Sequence, residues 1–129
     1  MKLLKSLVYD EKRSKFLAFL YAIEKEDDVK NIEENLKNEH PKANHLLKVL
    51  RYQNHFGVYV SVASEDKEPI SSMKKTRDLM ERKDIRDVGI YIVRYFGGTK
   101  LGASRLDHVY FALATKLMSE VSNEEKKQV

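Results

Sequence analysis

Apolar residues along this chain switch between a spacing of two and a spacing of three to four, and each switch predicts an element. "KLLKSLVY" reads as a strand, the polar "DEKR" as a turn, and "SKFLAFLYAI" as a second strand. That second run is almost continuously apolar, as in a strand with much of both faces covered. Together they predict an antiparallel hairpin. In "EDDVKNIEENLKNEHP" the period becomes helical: Val29, Ile32 and Leu36 form one stripe. Asp27 and Asp28 suit the positive end of that helix, and Pro41 marks its stop. "KANHLLKVLRY" and "HFGVYVSVA" then read as two strands joined around "QNH".

The polar loop "SEDKEPISS" follows, with Ser71 or Ser72 as the cap of a helix through "MKKTRDLMERK". "DVGIYIVRYF" carries the strongest strand signal, alternating Val, Ile and Tyr. "SRLDHVYFALATKLM" reads as a last helix, with Leu106, Val109, Tyr110, Leu113 and Leu117 on its apolar stripe. Helices alternating with strand pairs predict an α+β, two-layer sandwich: one sheet with helices packed on one face. We expect one domain over residues 1–122 and a frayed tail over 123–129.

Composition narrows the chemistry. The 129 residues hold no cysteine, which excludes disulfides, thiol catalysis and cysteine zinc sites. No apolar run approaches the roughly 20 residues that cross a bilayer, so no membrane partner and a cytoplasmic location are expected. Lys and Arg total 24 against 20 Asp and Glu, a formal charge of +4. That excess is compatible with a nucleic-acid partner and equally with a solvated surface.

Three of the five glycines fall within six residues, in "RYFGGTKLGA". The loop joins the strongest strand to the last helix, so it must turn sharply, and glycine allows positive φ and close backbone approach. Such a loop also points amide hydrogens at the helix start, a ready site for an anion. The candidate anion or nucleic-acid site comprises Arg94, Gly97, Gly98, Lys100, Gly102, Ser104, Arg105 and His108. Ser104 would cap the helix, with Asp107 as its reciprocal partner. The alternative reading is that the glycines only make the turn, with Tyr95 and Phe96 packing the sheet edge. The spacing matches neither the nucleotide-triphosphate loop nor the dinucleotide fingerprint.

"RYFGGTKLGA" resembles the signature of the IMPACT/YigZ family, and other pieces fall in the same order. "RSKFLAFLYAI" resembles the opening strand, "HPKANH" the segment ending in a characteristic His, here His45, and "EDKEP" the acidic loop ending in Glu68-Pro69. "LDHVYFAL" resembles the helix after the glycines. The resemblance covers about residues 13–118 and implies the fold of the second domain of a small-subunit ribosomal protein and of domain four of elongation factor G. It also implies a link to translation, since eukaryotic members regulate it through a protein partner. The sequence departs from the family's pattern at Lys67, where glycine is usual, and at His108, where arginine is usual.

His45, Glu65, Asp66, Glu68 and Pro69 form the family-matching acidic loop and histidine. An acid–base pair there competes with a plain exposed loop. No metal spacing, cofactor motif or catalytic nucleophile is evident. Lys74, Lys75, Arg77, Arg82 and Lys83 crowd the second helix as an accessory basic surface. Tyr52, Tyr59, Tyr91 and Tyr95 could offer stacking faces to RNA. The expected role is a translation-linked, RNA- or ribosome-associated binding module. The alternatives are a regulatory protein-binding module and a small-molecule phosphate-ester binder or enzyme.

Overall fold

The computed structural model describes residues 1–127, with side chains through Val121. Its elements are β1 (Lys2–Glu11), β2 (Ser14–Ala22), α1 (Glu26–Glu39), β3 (His45–Gln53), β4 (Tyr59–Ser64), α2 (Ser72–Arg82), β5 (Val88–Tyr95) and α3 (Ala103–Lys127). This is the order that the apolar periods predict. The tail expected at 123–129 falls on side chains outside the described residues, and 128 and 129 lie outside them altogether. No helix among the described residues is long and apolar enough to cross a membrane.

The strands form one antiparallel sheet in the order β1-β2-β5-β3-β4. β5, the most apolar, takes the centre, and each of its residues from Val88 to Arg94 is buried. Side chains alternate across a strand, and the two sets meet different partners. Phe16, Ala18 and Leu20 of β2, Leu47 and Val49 of β3, and Ile90 and Ile92 of β5 share a core with residues of α2 and α3. The expected helical layer on one face is thus made by α2 and α3. The alternate residues Phe19, Leu50 and Tyr91 cluster instead with Ile32 and Leu36 of α1. α1 therefore lies across the sheet from α2 and α3, a departure from the expected two layers. The unbroken apolar run of β2 has this cause: a strand near the sheet centre needs cover on both sides.

Asp28 holds the start of α1, its Oδ2 accepting the Glu24 and Lys25 amides at 2.9 and 3.3 Å. β1 turns into β2 through Lys12 and Arg13, both at positive φ, as a two-residue type I′ hairpin requires. β2 pairs with β5 as far as Lys15 opposite Tyr95, so the loop leaving β5 runs beside that turn. There Gly97 meets the chain: a Cβ on it would stand 2.2 Å from the Arg13 carbonyl carbon and oxygen. The obstacle is backbone, so relief requires the hairpin turn to move. Gly97→Ala is expected to destabilise the protein by about 1–3 kcal/mol, read from urea denaturation. An unchanged midpoint would mean that the loop does not rest on the turn.

Candidate anion-binding cleft

The glycine loop leaves β5 at Phe96 and enters α3 at Ala103. The first helical bond of α3 runs from the Leu106 N–H to the Gly102 carbonyl, 3.0 Å. Gly102 is thus the N-cap, and Ser104 sits inside the first turn instead of capping it. Gly98 and Gly102 take φ of +87° and +86°, with open space where a side chain would stand. Among the described residues, none of the amides from Gly98 to Arg105 has a backbone acceptor. Lys100 is exposed beside them.

Behind the loop lies a buried polar network centred on Glu68, which is 8% exposed. Its Oε2 accepts from Arg94 Nη1 at 2.8 Å and from the Tyr110 hydroxyl at 2.5 Å. His45 Nε2 lies 3.2 Å from Oε1. Arg94 Nη2 donates to Ser14 Oγ at 3.2 Å, and the guanidinium carbon stands 5.6 and 5.5 Å from the ring centroids of Phe16 and Phe96. The other nitrogen of His45, Nδ1, sits 3.0 Å from the Asp66 carbonyl oxygen. Burial, then the Glu68 carboxylate, push the Tyr110 hydroxyl well above the usual tyrosine range, which keeps it a donor. The network ties the starts of β2 and β3, the acidic loop, the end of β5 and α3 together.

Glu68 reaches this position through a tight turn. Asp66 and Lys67 have φ of 48° and 66°, and the Glu68 N–H bonds the Glu65 carbonyl at 3.0 Å. This is the signature of a type I′ turn, where Asp-Gly is favoured. Lys67 occupies the position at which the family's pattern has glycine. Asp66 Oδ2 accepts the Leu46 amide at 2.8 Å, fixing the start of β3.

The expected site residues are only partly brought together. His45, Glu68, Pro69, Arg94, Lys100 and Gly102 line one cleft of about 380 Å³. Ser104, Arg105 and His108 line a neighbouring, open concavity that shares Leu101, Gly102 and Ala103 with the cleft. Gly97 is closed off against Arg13. Within the cleft, Arg94 is held by Glu68, and both ring nitrogens of His45 face protein oxygens, so His45 is not a free base. Arg105 is held by Glu11 at 2.6 and 2.9 Å and by the Tyr9 hydroxyl. Hydrogen bonds from Arg105 and Tyr9 pull the Glu11 carboxyl down to about 2.

Glu65 and Asp107 have a role not visible in their spacing. Glu65 accepts the Met73 and Lys74 amides, at 3.1 and 3.2 Å, and Asp107 accepts the Ser71 amide at 2.9 Å. Both therefore cap α2. Neither Ser71 nor Ser72 makes the expected side-chain cap, because these carboxylates already fill the helix start. On the accessory basic surface, Lys75 pairs with Asp107 at 3.2 Å and Arg77 approaches Asp78 at 3.7 Å, while Lys74, Arg82 and Lys83 are exposed. Of the tyrosines expected as stacking faces, Tyr91 is fully buried under α1, and Tyr95 and Tyr59 are bonded to His40 and Asp87. Asn44 and Phe96 were not among the expected site residues, yet both line the cleft. Asn44 Oδ1 accepts the Phe96 amide at 2.7 Å. Among the described residues no three His, Asp or Glu side chains gather to hold a metal.

The family model for the Impact N-terminal domain matches residues 12–118, and the chain belongs to that family. No curated protein matches it. Among solved structures it is similar to a crystal structure of a hypothetical protein, with TM-score 0.73 and 22% identity, covering 88% of this chain and 56% of that one. It is also similar to the two-domain translational regulator Yih1, with TM-score 0.53 and 21% identity, covering 93% of this chain and 46% of that one. The chain thus spans about half the length of these structures.

The Asp107 cap makes stability depend on acid. Burial raises its carboxyl, but the Ser71 amide and the Lys75 ammonium outweigh this and hold it below the usual range. A carboxyl depressed in the folded state contributes fully above its unfolded value of about 3.9, and the contribution is lost as pH falls through the folded value. Asp107→Ala should cost about 0.5–2 kcal/mol at neutral pH. The gap from wild type, followed by thermal melts, should narrow below about pH 4. A gap independent of pH would refute the cap.

Proposed function

We propose that this Impact-family protein is a translation-linked binding module that takes RNA phosphate on the glycine loop and the start of α3. One observation carries the reading. Among the described residues, the amides from Gly98 to Arg105 lack backbone acceptors, and all of these residues but Leu101 are exposed, with open space where a side chain would stand at the two left-handed glycines. Unpaired backbone donors at a helix N-terminus favour an anion. Lys100 adds a positive charge, and Lys74, Arg82 and Lys83 lend a diffuse one from α2. Family membership and the related fold of a translational regulator supply the link to translation. The likeness to the ribosomal-protein domain and to domain four of elongation factor G belongs to the same proposal. So do a single unit over residues 1–122 and a cytoplasmic location.

A second reading has its own support. Phe56 and Val58 are 78% and 56% exposed at the tip of the β3–β4 hairpin, and such apolar tips suit a protein contact. An enzyme reading is weaker, because protein partners already occupy His45 and Glu68.

Fluorescence anisotropy with single-stranded RNA across about 50–200 mM salt tests the main reading. Binding should weaken steeply with salt, and Lys100→Ala should reduce the log–log slope by about 0.7, one phosphate contact. Salt-insensitive binding, or a slope unchanged in Lys100→Ala, would contradict it.

A further inference from the structure

We propose that the groove between the free edge of β1 and α3 binds an extended acidic peptide of another protein, which adds a strand beside β1 and seats one large apolar side chain against α3. β1 pairs only with β2, so one of its edges has no strand partner. The hairpin turn decides which groups that edge offers. In a two-residue hairpin the closing pair, here Glu11 and Ser14, exchanges both backbone bonds, and the pairs then alternate. The N–H and C=O groups of Ser6, Val8 and Asp10 therefore point away from β2. Natural edges are often blunted by lysines and bulges. β1 carries Lys2, Lys5 and a bulge between Leu3 and Lys5, which guard its first half and leave Ser6 to Asp10 regular. Val8 is 60% exposed in that open half.

The groove lies beside this half, with Tyr9, Val109, Ala112 and Leu113 as its apolar walls. Ala112 is exposed, and a larger residue there would fill the space. The volume is about 250 Å³. That is below the roughly 300–1,000 Å³ of sites for drug-sized ligands and suits a single side chain. Tyr9 packs against the core that α3 covers. On an added strand the residue opposite Tyr9 points to that same face, toward the groove. Strand addition draws affinity from main-chain bonds and specificity from such pockets. The rim, formed by Arg105, His108 and Lys116, sets the sign of the partner. Arg105 bonds Glu11 and Tyr9 through Nε and Nη2, and its Nη1 has no protein acceptor among the described residues. His108 and Lys116 are exposed, and neither is paired with a carboxylate among the described residues. Glu11 is already taken by Arg105 and Tyr9. Residues two places either side of the seated one share its face, so acidic residues there meet a complementary rim.

The probe is a fluorescein-labelled peptide as long as β1, ten residues, that alternates threonine with glutamate and carries phenylalanine at one central glutamate position. Fluorescence anisotropy should show saturable binding. Lysine in place of its glutamates, or alanine in place of its phenylalanine, should weaken binding by about tenfold. Ala112→Trp, which fills the groove, and Lys116→Glu should each weaken it by about tenfold. Both positions are exposed on the helix surface, and both variants should melt like the parent. A readout on the unaltered protein identifies the mode: the peptide should slow amide hydrogen exchange at Ser6, Val8 and Asp10. Exchange unchanged at these amides under saturating peptide would overturn strand addition. No saturable binding at millimolar peptide, or binding indifferent to the glutamates or to Ala112→Trp, would overturn the groove as its seat. Displacement of the peptide by single-stranded RNA would assign the groove to nucleic acid and overturn the peptide as occupant. Slowed exchange at the same amides in the free protein, growing with its concentration, would give the edge to a second copy of the chain and overturn it as well.

Discussion

The candidate site depends on one buried carboxylate. Glu68 sits in the interior and is compensated there by a guanidinium, a tyrosine hydroxyl and an imidazole nitrogen. An ionised carboxyl is costly to bury, and removing one partner of such a pair leaves an uncompensated charge. The five groups in contact through Glu68 and Arg94 come from β2, β3, the acidic loop, β5 and α3. Their mutual satisfaction fixes where the loop after β5 begins, and so where its amides point.

Two neighbouring helix starts show how selective the arrangement is. Ser71 before α2 is bonded to Asp107 of α3, which brings the two helix N-termini together. The start of α2 is filled by Glu65 and Asp107. Among the described residues the start of α3 has no such carboxylate, although acidic residues stand nearby. The same backbone electrostatics act at both ends, so the difference lies in side-chain supply. At α2 the protein provides its own anions. At α3 it provides an exposed lysine, two open glycines and a cleft.

Much of this architecture is legible in the sequence because it is periodic. The element order follows from apolar spacing, whereas the placement of α1 across the sheet from α2 and α3 departs from the expected single helical face, and it accounts for the continuous apolar run of β2. What the sequence hides is pairing between distant side chains. Tyr110 lies on the apolar stripe of α3 and reads as core, and its hydroxyl meets Glu68 only after folding. Arg105 looks like a free cation until β1 brings Glu11 to it. Ser104 and Asp107 have the spacing of a cap on their own helix, yet Asp107 turns to α2, whose start lies closer to its carboxylate. The glycine motif marks the turn between β5 and α3, with Gly98 and Gly102 at positive φ, but no local pattern singles out Asn44 or the exposed ring of Phe96.

A double-mutant cycle on Glu68 and Arg94, with Glu68→Gln, Arg94→Met and the pair compared by chemical denaturation, tests the buried network most directly. If the network organises the site, each single change strands a buried partner, and the double variant loses less than the sum of the singles, by about 1–3 kcal/mol. Additive losses would mean that the two groups do not depend on each other, and the account of how the cleft is built would fail.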